Sequence, residues 1–144
     1  MFNSQYDCKL DPKGRLVLPA KIKAAIPEAN GGTLMLRMAE DRCLALYTIV
    51  EYKKLENQIK SLNINNPEQR LLQRSFFNSV TEVELDSAGR LLIPKHFQLY
   101  AGLEKELMVT GNGFRIEIWN TENYLNNIIK DPVDLSSLME KHLS

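Results

Sequence analysis

Apolar and polar positions change period several times along the chain, and each change marks an element. Tyr6, Cys8 and Leu10 alternate with Asp7 and Lys9, and Val83 and Leu85 alternate with Glu82 and Glu84, which is the period-two pattern of a half-buried strand. Each pattern runs into a turn sequence, Asp-Pro-Lys-Gly at 11–14 and Asp-Ser-Ala-Gly at 86–89. Aspartate at the first turn position can cap the loop, Pro12 presets φ, and glycine at the fourth tolerates positive φ. The chain is therefore expected to reverse into strands at 16–18 and 91–93. Pro19 and Pro94 end those strands and suit the first position of a helix. Ile22, Ala25 and Ile26, like Phe97, Tyr100 and Ala101, then keep the spacing of one buried helical face. A second hairpin follows each short helix, at 34–38 with 44–47 and at 107–110 with 114–119, the latter around Gly111, Asn112 and Gly113.

Between these two series lies a helical stretch. Thr48 with Glu51 three residues on makes a capping box, and Tyr52, Leu55, Ile59 and Leu62 fall on one face. Asn66 and Pro67 start a second helix, whose Leu71, Leu72, Phe76 and Phe77 read as packing surface. The two flanking series are copies of one another. The segment DPKGRLVLP at 11–19 recurs as DSAGRLLIP at 86–94, an offset of 86 − 11 = 75, with five of nine positions identical. The predicted class is α+β, with a ββαββ module at 5–48, a helical connector at 49–79, a second module at 80–123 and a tail at 124–144. Modules of about 45 residues barely offset chain entropy alone, so they are expected to share a core or to oligomerise.

Charge and chemistry narrow the function. Eighteen basic and eighteen acidic residues cancel, which argues against indiscriminate coating of nucleic acid. Residues 8–23, however, carry Lys9, Lys13, Arg15, Lys21 and Lys23 against Asp11 alone, whereas residues 117–144 carry five anions and two cations. His96 and His142 have no partner at metal-ligand spacing, no glycine-rich phosphate loop follows a strand, and no nucleophile has an evident base. Neither an enzyme nor a metal or other cofactor is expected. Cys8 and Cys43 sit singly in strand-like runs and read as buried free thiols rather than a disulfide. The N-terminal stretch has neither the basic start nor the apolar run of a signal peptide, and no run approaches the roughly 20 apolar residues of a membrane span. A cytoplasmic protein without membrane contact is expected.

Two Asp-x-x-Gly-Arg loops in tandem, each followed by Leu-x-x-Pro, together with the helical connector and the chain length, resemble the MraZ family within the AbrB-like swapped-hairpin barrels. The resemblance covers nearly the whole chain and stops at the acidic tail after Asp131. It implies barrels of interlocked hairpins, a ring-shaped homo-oligomer, and nucleoid-associated, sequence-specific binding of double-stranded promoter DNA. Repression of a division and cell-wall gene cluster, the protein's own gene included, is the implied outcome. Carried over by position, the motif residues are Asp11, Gly14 and Arg15 in the first copy and Asp86, Gly89 and Arg90 in the second. Arginine's fork can contact guanine O6 and N7 together, and Arg15 is the leading base reader. Lys9, Lys13, Lys21 and Lys23 would hold phosphates. The alternative is that each arginine pairs with the aspartate of its own loop and only stiffens the turn; it weighs more for Arg90, whose loop is nearly neutral. A purely protein-binding scaffold or antitoxin-like module is the competing function.

Overall fold

In the computed structural model, which describes residues 1–27 and 31–144, the first copy contributes β1 (Gln5–Lys9), β2 (Arg15–Val17), α1 (Ala20–Ala24), β3 (Thr33–Met38) and β4 (Leu44–Thr48). The connector is α2 (Ile49–Lys60) and α3 (Pro67–Asn78). The second copy contributes β5 (Val80–Glu84), β6 (Arg90–Leu92), α4 (Lys95–Ala101), β7 (Glu106–Asn112) and β8 (Arg115–Asn120), followed by α5 (Thr121–Leu125) and α6 (Pro132–Leu143). The protein is α+β, with antiparallel sheets and a ββαββ order in each copy.

The copies interlock. Six strands form one sheet in the order β1-β7-β8-β4-β3-β5, and β2 pairs with β6 in a separate two-stranded ribbon. Thus β1 lies on β7 of the other copy, β5 lies on β3, and β4 lies on β8. The expected chain reversal at each Asp-x-x-Gly turn occurs, yet it closes only one bridge, Leu10 with Leu16 and Leu85 with Leu91. Beyond that bridge the two arms diverge to partners in the opposite copy. The later hairpins form as expected, although β7 runs on through Gly111 and Asn112, which the sequence pattern assigns to the turn, and β8 starts at Arg115: Asn112 pairs with Arg115 around Gly113 and Phe114.

Two apolar layers cover the two faces of the large sheet. One packs Leu34, Leu36, Leu44, Leu46, Val109, Ile116 and Ile118 against Leu16 and Leu91 of the ribbon and Ile22 and Phe97 of the short helices. The other packs Ala45, Tyr47, Met108 and Trp119 against Tyr52, Ile59 and Phe76 of the connector. Both copies supply both layers, which is how modules too small for separate cores solve the problem of size. Within the connector layer Glu117 is buried, and it accepts hydrogen bonds from Arg115 Nη2 (2.6 Å), Asn112 Nδ2 (3.1 Å) and Trp119 Nε1 (3.2 Å). Arg115 and Arg37 also reach the Tyr47 hydroxyl, at 3.3 and 3.1 Å, so the polar cluster also ties the copies together.

Local signals act as their chemistry dictates. Pro19 and Pro94 take the capping position one residue before their helices, with φ of −54° and −56°. Thr48 caps α2 by accepting from the Glu51 N–H at 3.3 Å, while the Glu51 carboxylate turns to Lys54 at 3.0 Å rather than completing the box. Cys43 is buried and Cys8 half-buried, both as free thiols. Burial pushes them up to about 12 and about 11, so both stay protonated at neutral pH. The tail helix α6, which the sequence pattern leaves unassigned, is exposed along its whole length.

The chain start is held by close backbone approach. Phe2 N–H donates to Gly113 O at 2.8 Å and Gly111 N–H to Ser4 O at 2.9 Å, and a Cβ on Gly111 would run into the backbone of Phe2 and Asn3. Gly111→Ala is expected to cost about 2 to 4 kcal/mol. Gly102→Ala, at a positive φ but with open space around it, should cost about 1 kcal/mol. Urea midpoints at one protein concentration check this, and equal losses would show that the N-terminal segment yields rather than clashes.

Candidate nucleic-acid interface

Each Asp-x-x-Gly-Arg loop is organised by its aspartate. Asp11 Oδ1 accepts the N–H groups of Lys13 and Arg15, both at 2.9 Å, and Oδ2 accepts from Arg15 Nε at 2.7 Å. Asp86 does the same for Ala88 (2.9 Å), Arg90 N–H (2.8 Å) and Arg90 Nε (2.8 Å). Gly14 and Gly89 donate back to the aspartate carbonyls at 3.0 and 2.9 Å, with φ of +83° and +77°, a conformation glycine adopts without cost. The arginine N–H bond, followed by the guanidinium, holds each carboxyl below its ordinary 3.8 despite partial desolvation.

The ion pair that would merely stiffen the turn is therefore formed in both loops, yet it occupies one edge of each guanidinium. The bond runs through Nε, and among the described residues no protein acceptor takes a hydrogen bond from the Nη groups of Arg15 or Arg90. The side chains are 38% and 45% exposed. An arginine pinned at Nε presents its two Nη atoms in a fixed direction, the geometry that bidentate recognition of an acceptor pair requires.

The ribbon brings the two loops together. Arg15 pairs with Leu92, Leu16 with Leu91 and Val17 with Arg90. Leu16 and Leu91 are fully buried, so the alternate positions Arg15, Val17, Arg90 and Leu92 all lie on the opposite, outer face. The ladder extends into the loops, because Leu18 N–H donates to Gly89 O and Ile93 N–H to Gly14 O, both at 2.9 Å. Two arginines 75 residues apart in sequence (90 − 15 = 75) thereby share one surface.

Interlocking also redistributes the lysines. Lys13 is exposed at the first loop's tip and Lys9 on the edge of β1; Lys9 and Lys105 border the same cleft as Arg15 and Arg90. Lys23 reaches across to the second loop, where its Nζ donates to Ser87 O at 3.2 Å and its stem lies 3.2 Å from where a Cβ on Gly89 would be. Gln98, at the matching position of the second copy (98 − 23 = 75), covers Gly14 of the first loop and donates to Ile93 O at 2.8 Å. The loop that is nearly neutral along the chain thus receives a cation in space, and the contrast drawn between Arg15 and Arg90 from chain order narrows. Lys21 is set apart from the ribbon, beside Met1 to Ser4. Sequence reasoning missed Gln98, Lys105, Val17 and Leu92. The 75-residue offset from Lys23 would have found Gln98; Lys105 carries no such signal.

A family model described as "MraZ protein, putative antitoxin-like" matches this chain twice, over residues 1–75 and 76–136, the same offset as the loops. The chain is 43% identical over 143 residues to the transcriptional regulator MraZ of Cytophaga hutchinsonii, covering 99% of this chain and 95% of that protein. It is 40% identical over 124 residues to that of Heliobacterium modesticaldum, covering 86% and 84%. With the protein of the same name from Clostridium beijerinckii it shares 36% over 141 residues, covering 98% and 96%. On both the doubled family match and these full-length similarities, the chain belongs to the MraZ family.

Proposed function

We propose that this protein is a sequence-specific, DNA-binding transcriptional regulator that reads promoter duplexes with the outer face of the β2–β6 ribbon. The observation that carries the reading is the pair of arginines on one ribbon, each pinned at Nε by its own aspartate and each with Nη groups that no acceptor among the described residues takes up. A two-stranded ribbon fits the major groove, where guanine offers O6 and N7 to such a fork. Lys9, Lys13 and Lys23 would hold phosphates around it, and Lys21 would do so only along a wider footprint. Relatives bearing the name transcriptional regulator support the class. In this reading the protein represses a division and cell-wall gene cluster that includes its own gene, acts on the nucleoid in the cytoplasm, and needs no cofactor. The chain working units are the two modules and connector, 5–48, 80–123 and 49–79.

The working form is a ring-shaped homo-oligomer. Leu71, Leu72 and Phe77 on α3 and Leu135, Leu138 and Met139 on α6 are exposed apolar side chains of one protomer, more than a lone soluble chain ordinarily leaves uncovered. A cyclic ring repeats one orientation, so it favours direct repeats over palindromes. Light scattering is expected to give several subunits, and a stable monomer of 16.5 kDa at micromolar concentration would end the ring.

A second reading, a protein-binding scaffold or antitoxin-like module, is favoured by the exposed α6 and by the wording of the family description. Retention on duplex DNA separates the two. Arg15→Ala and Arg90→Ala are each expected to lower affinity for a selected duplex at least tenfold relative to competitor, since a bidentate pair discriminates by about 1 to 3 kcal/mol. Losses confined to non-specific binding would favour the scaffold.

The aspartates make the reading depend on charge in a stated direction. Because Asp11 and Asp86 are held below 3.8, the loop ion pairs persist above that value and are lost only as pH falls through the lowered one. Affinity should therefore not titrate through these loops between pH 6 and 8. Asp11→Asn keeps the turn acceptor but removes the charge, so binding to arbitrary DNA should rise while the specific-to-non-specific ratio falls about tenfold. Fluorescence anisotropy on matched and scrambled duplexes reads both, and an unchanged ratio would show that the aspartate merely shapes the turn.

Operator geometry follows from the ring. Repeats spaced close to one turn, roughly 10 base pairs, present the same duplex face to neighbouring ribbons. Inserting about half a turn should collapse binding, and Lys13→Ala should weaken all sequences alike while flattening the salt slope by about one unit per lost contact. Tight binding indifferent to the insertion would refute this docking.

A further inference from the structure

The outer face of the ribbon carries two apolar side chains that neither the fold nor the arginine reading uses. Val17 and Leu92 are each 57% exposed, although their neighbours Leu16 and Leu91 are fully buried on the inner face. They occupy the same position in the two copies, since 92 − 17 = 75. Neither belongs to the core, and threonine would serve an exposed strand position as well as valine or leucine. Both lie within the cation-bearing patch, for Leu92 stands directly across from Arg15 and Val17 directly across from Arg90.

The geometry points to Val17 and Leu92 as readers of thymine, each packing on the C5-methyl group of a thymine next to the guanine that the facing arginine contacts. This rests on the DNA-reading function proposed above. The major groove presents one apolar group, the thymine methyl, and apolar side chains are its complement. Cross-strand neighbours have Cβ atoms about 5 Å apart, so an arginine and its facing apolar residue reach adjacent or next-adjacent base pairs. Along a strand, side chains on one face recur about every 6.7 Å, close to two base steps at about 3.4 Å each. The face is therefore a four-point reader with arginines on one diagonal and apolar groups on the other. Guanine is selected by hydrogen bonds and thymine by its methyl, and a cytosine in the thymine position leaves the apolar side chain against an unfilled gap.

The test starts from random-sequence duplexes selected by the wild-type protein. Each thymine of the selected duplex is then replaced, one at a time, by deoxyuridine, which pairs identically and lacks only the methyl. Binding is measured for wild type, Val17→Ala and Leu92→Ala, with Val17→Thr as the conservative variant and with particle mass and thermal unfolding recorded for all. Wild type is expected to lose about threefold to tenfold at thymines within two base pairs of a required guanine. Val17→Ala should be indifferent to deoxyuridine at one such position and Leu92→Ala at another, while Val17→Thr, which keeps one methyl, should retain part of the loss. Deoxyuridine tolerated at every position, equal losses in wild type and both alanine variants, or a selected sequence without thymine in that window would each overturn thymine reading while leaving DNA recognition by Arg15 and Arg90 standing. Failure to select any sequence would overturn DNA reading itself and this inference with it.

Discussion

Among the described residues, two strands of three residues, β2 and β6, form a ladder only with one another, single bridges to Leu10 and Leu85 aside, and they come from opposite halves of the chain. A ladder that short supplies few hydrogen bonds, so the ribbon persists because Leu16 and Leu91 on its inner face are driven into the core shared by both copies. Their burial fixes the register, and the register fixes everything displayed outside. A slip of one residue would turn Arg15 and Arg90 inward and Leu16 and Leu91 outward, exchanging two buried leucines for two buried charges. The placement of the outward arginines is thus enforced by the core rather than by the loops that contain them.

Within each loop a carboxylate orders both the turn and the arginine, at a cost in local positive charge. Placing Asp11 and Asp86 beside the arginines lowers the local positive charge, which weakens attraction to a phosphate backbone. The compensation is order: an arginine free at all five donors has many ways to point, whereas one fixed at Nε loses less freedom when its Nη atoms engage a ligand. Such an arrangement gives up general affinity to gain discrimination, and it suits a chain whose total charge is zero. In the proposed reading, Lys13 and Lys23, one at each loop, would return charge at points where it can steer without competing for the fork.

Much of this was legible in the residues. The period-two runs, the Asp-x-x-Gly turns, the proline-led short helices and the 75-residue repeat located strands, loops and helices within a few positions. What was not legible is which strand lies beside which. Periodicity records that Tyr6, Cys8 and Leu10 share a face; it contains nothing about β7, because pairing between distant segments is set by the shared core and not by local sequence. The resemblance implied interlocked hairpins, while the alternation alone fitted a simple hairpin equally well. The same blindness hid the destination of Lys23, which belongs to the first loop in sequence and to the second in space. It also hid Val17 and Leu92, since a run of three apolar residues does not show which of its positions faces outward. Phe2 escaped notice for a different reason: it lies outside any periodic run, yet it is buried against β7 by backbone contacts that glycine at 111 permits.

Duplication raises a question of polarity. A ribbon made of two equivalent strands has an approximate twofold axis, and a reader with that symmetry placed on duplex DNA would bind equally well in either direction. The direct repeats proposed above would demand a reader that knows its direction. The copies differ at the positions around the ribbon: Lys13 stands against Ala88, Lys9 against Glu84, Val17 against Leu92, and Lys23 against Gln98. Each pair is equivalent by the 75-residue offset, and each lies at or beside the outer face, whereas the arginines, aspartates and glycines that build the two loops are unchanged. Divergence has therefore spared the machinery that holds a fork in place and altered the groups around it. That is the pattern by which a symmetric scaffold acquires a head and a tail, as the proposed ring on repeated sites would require.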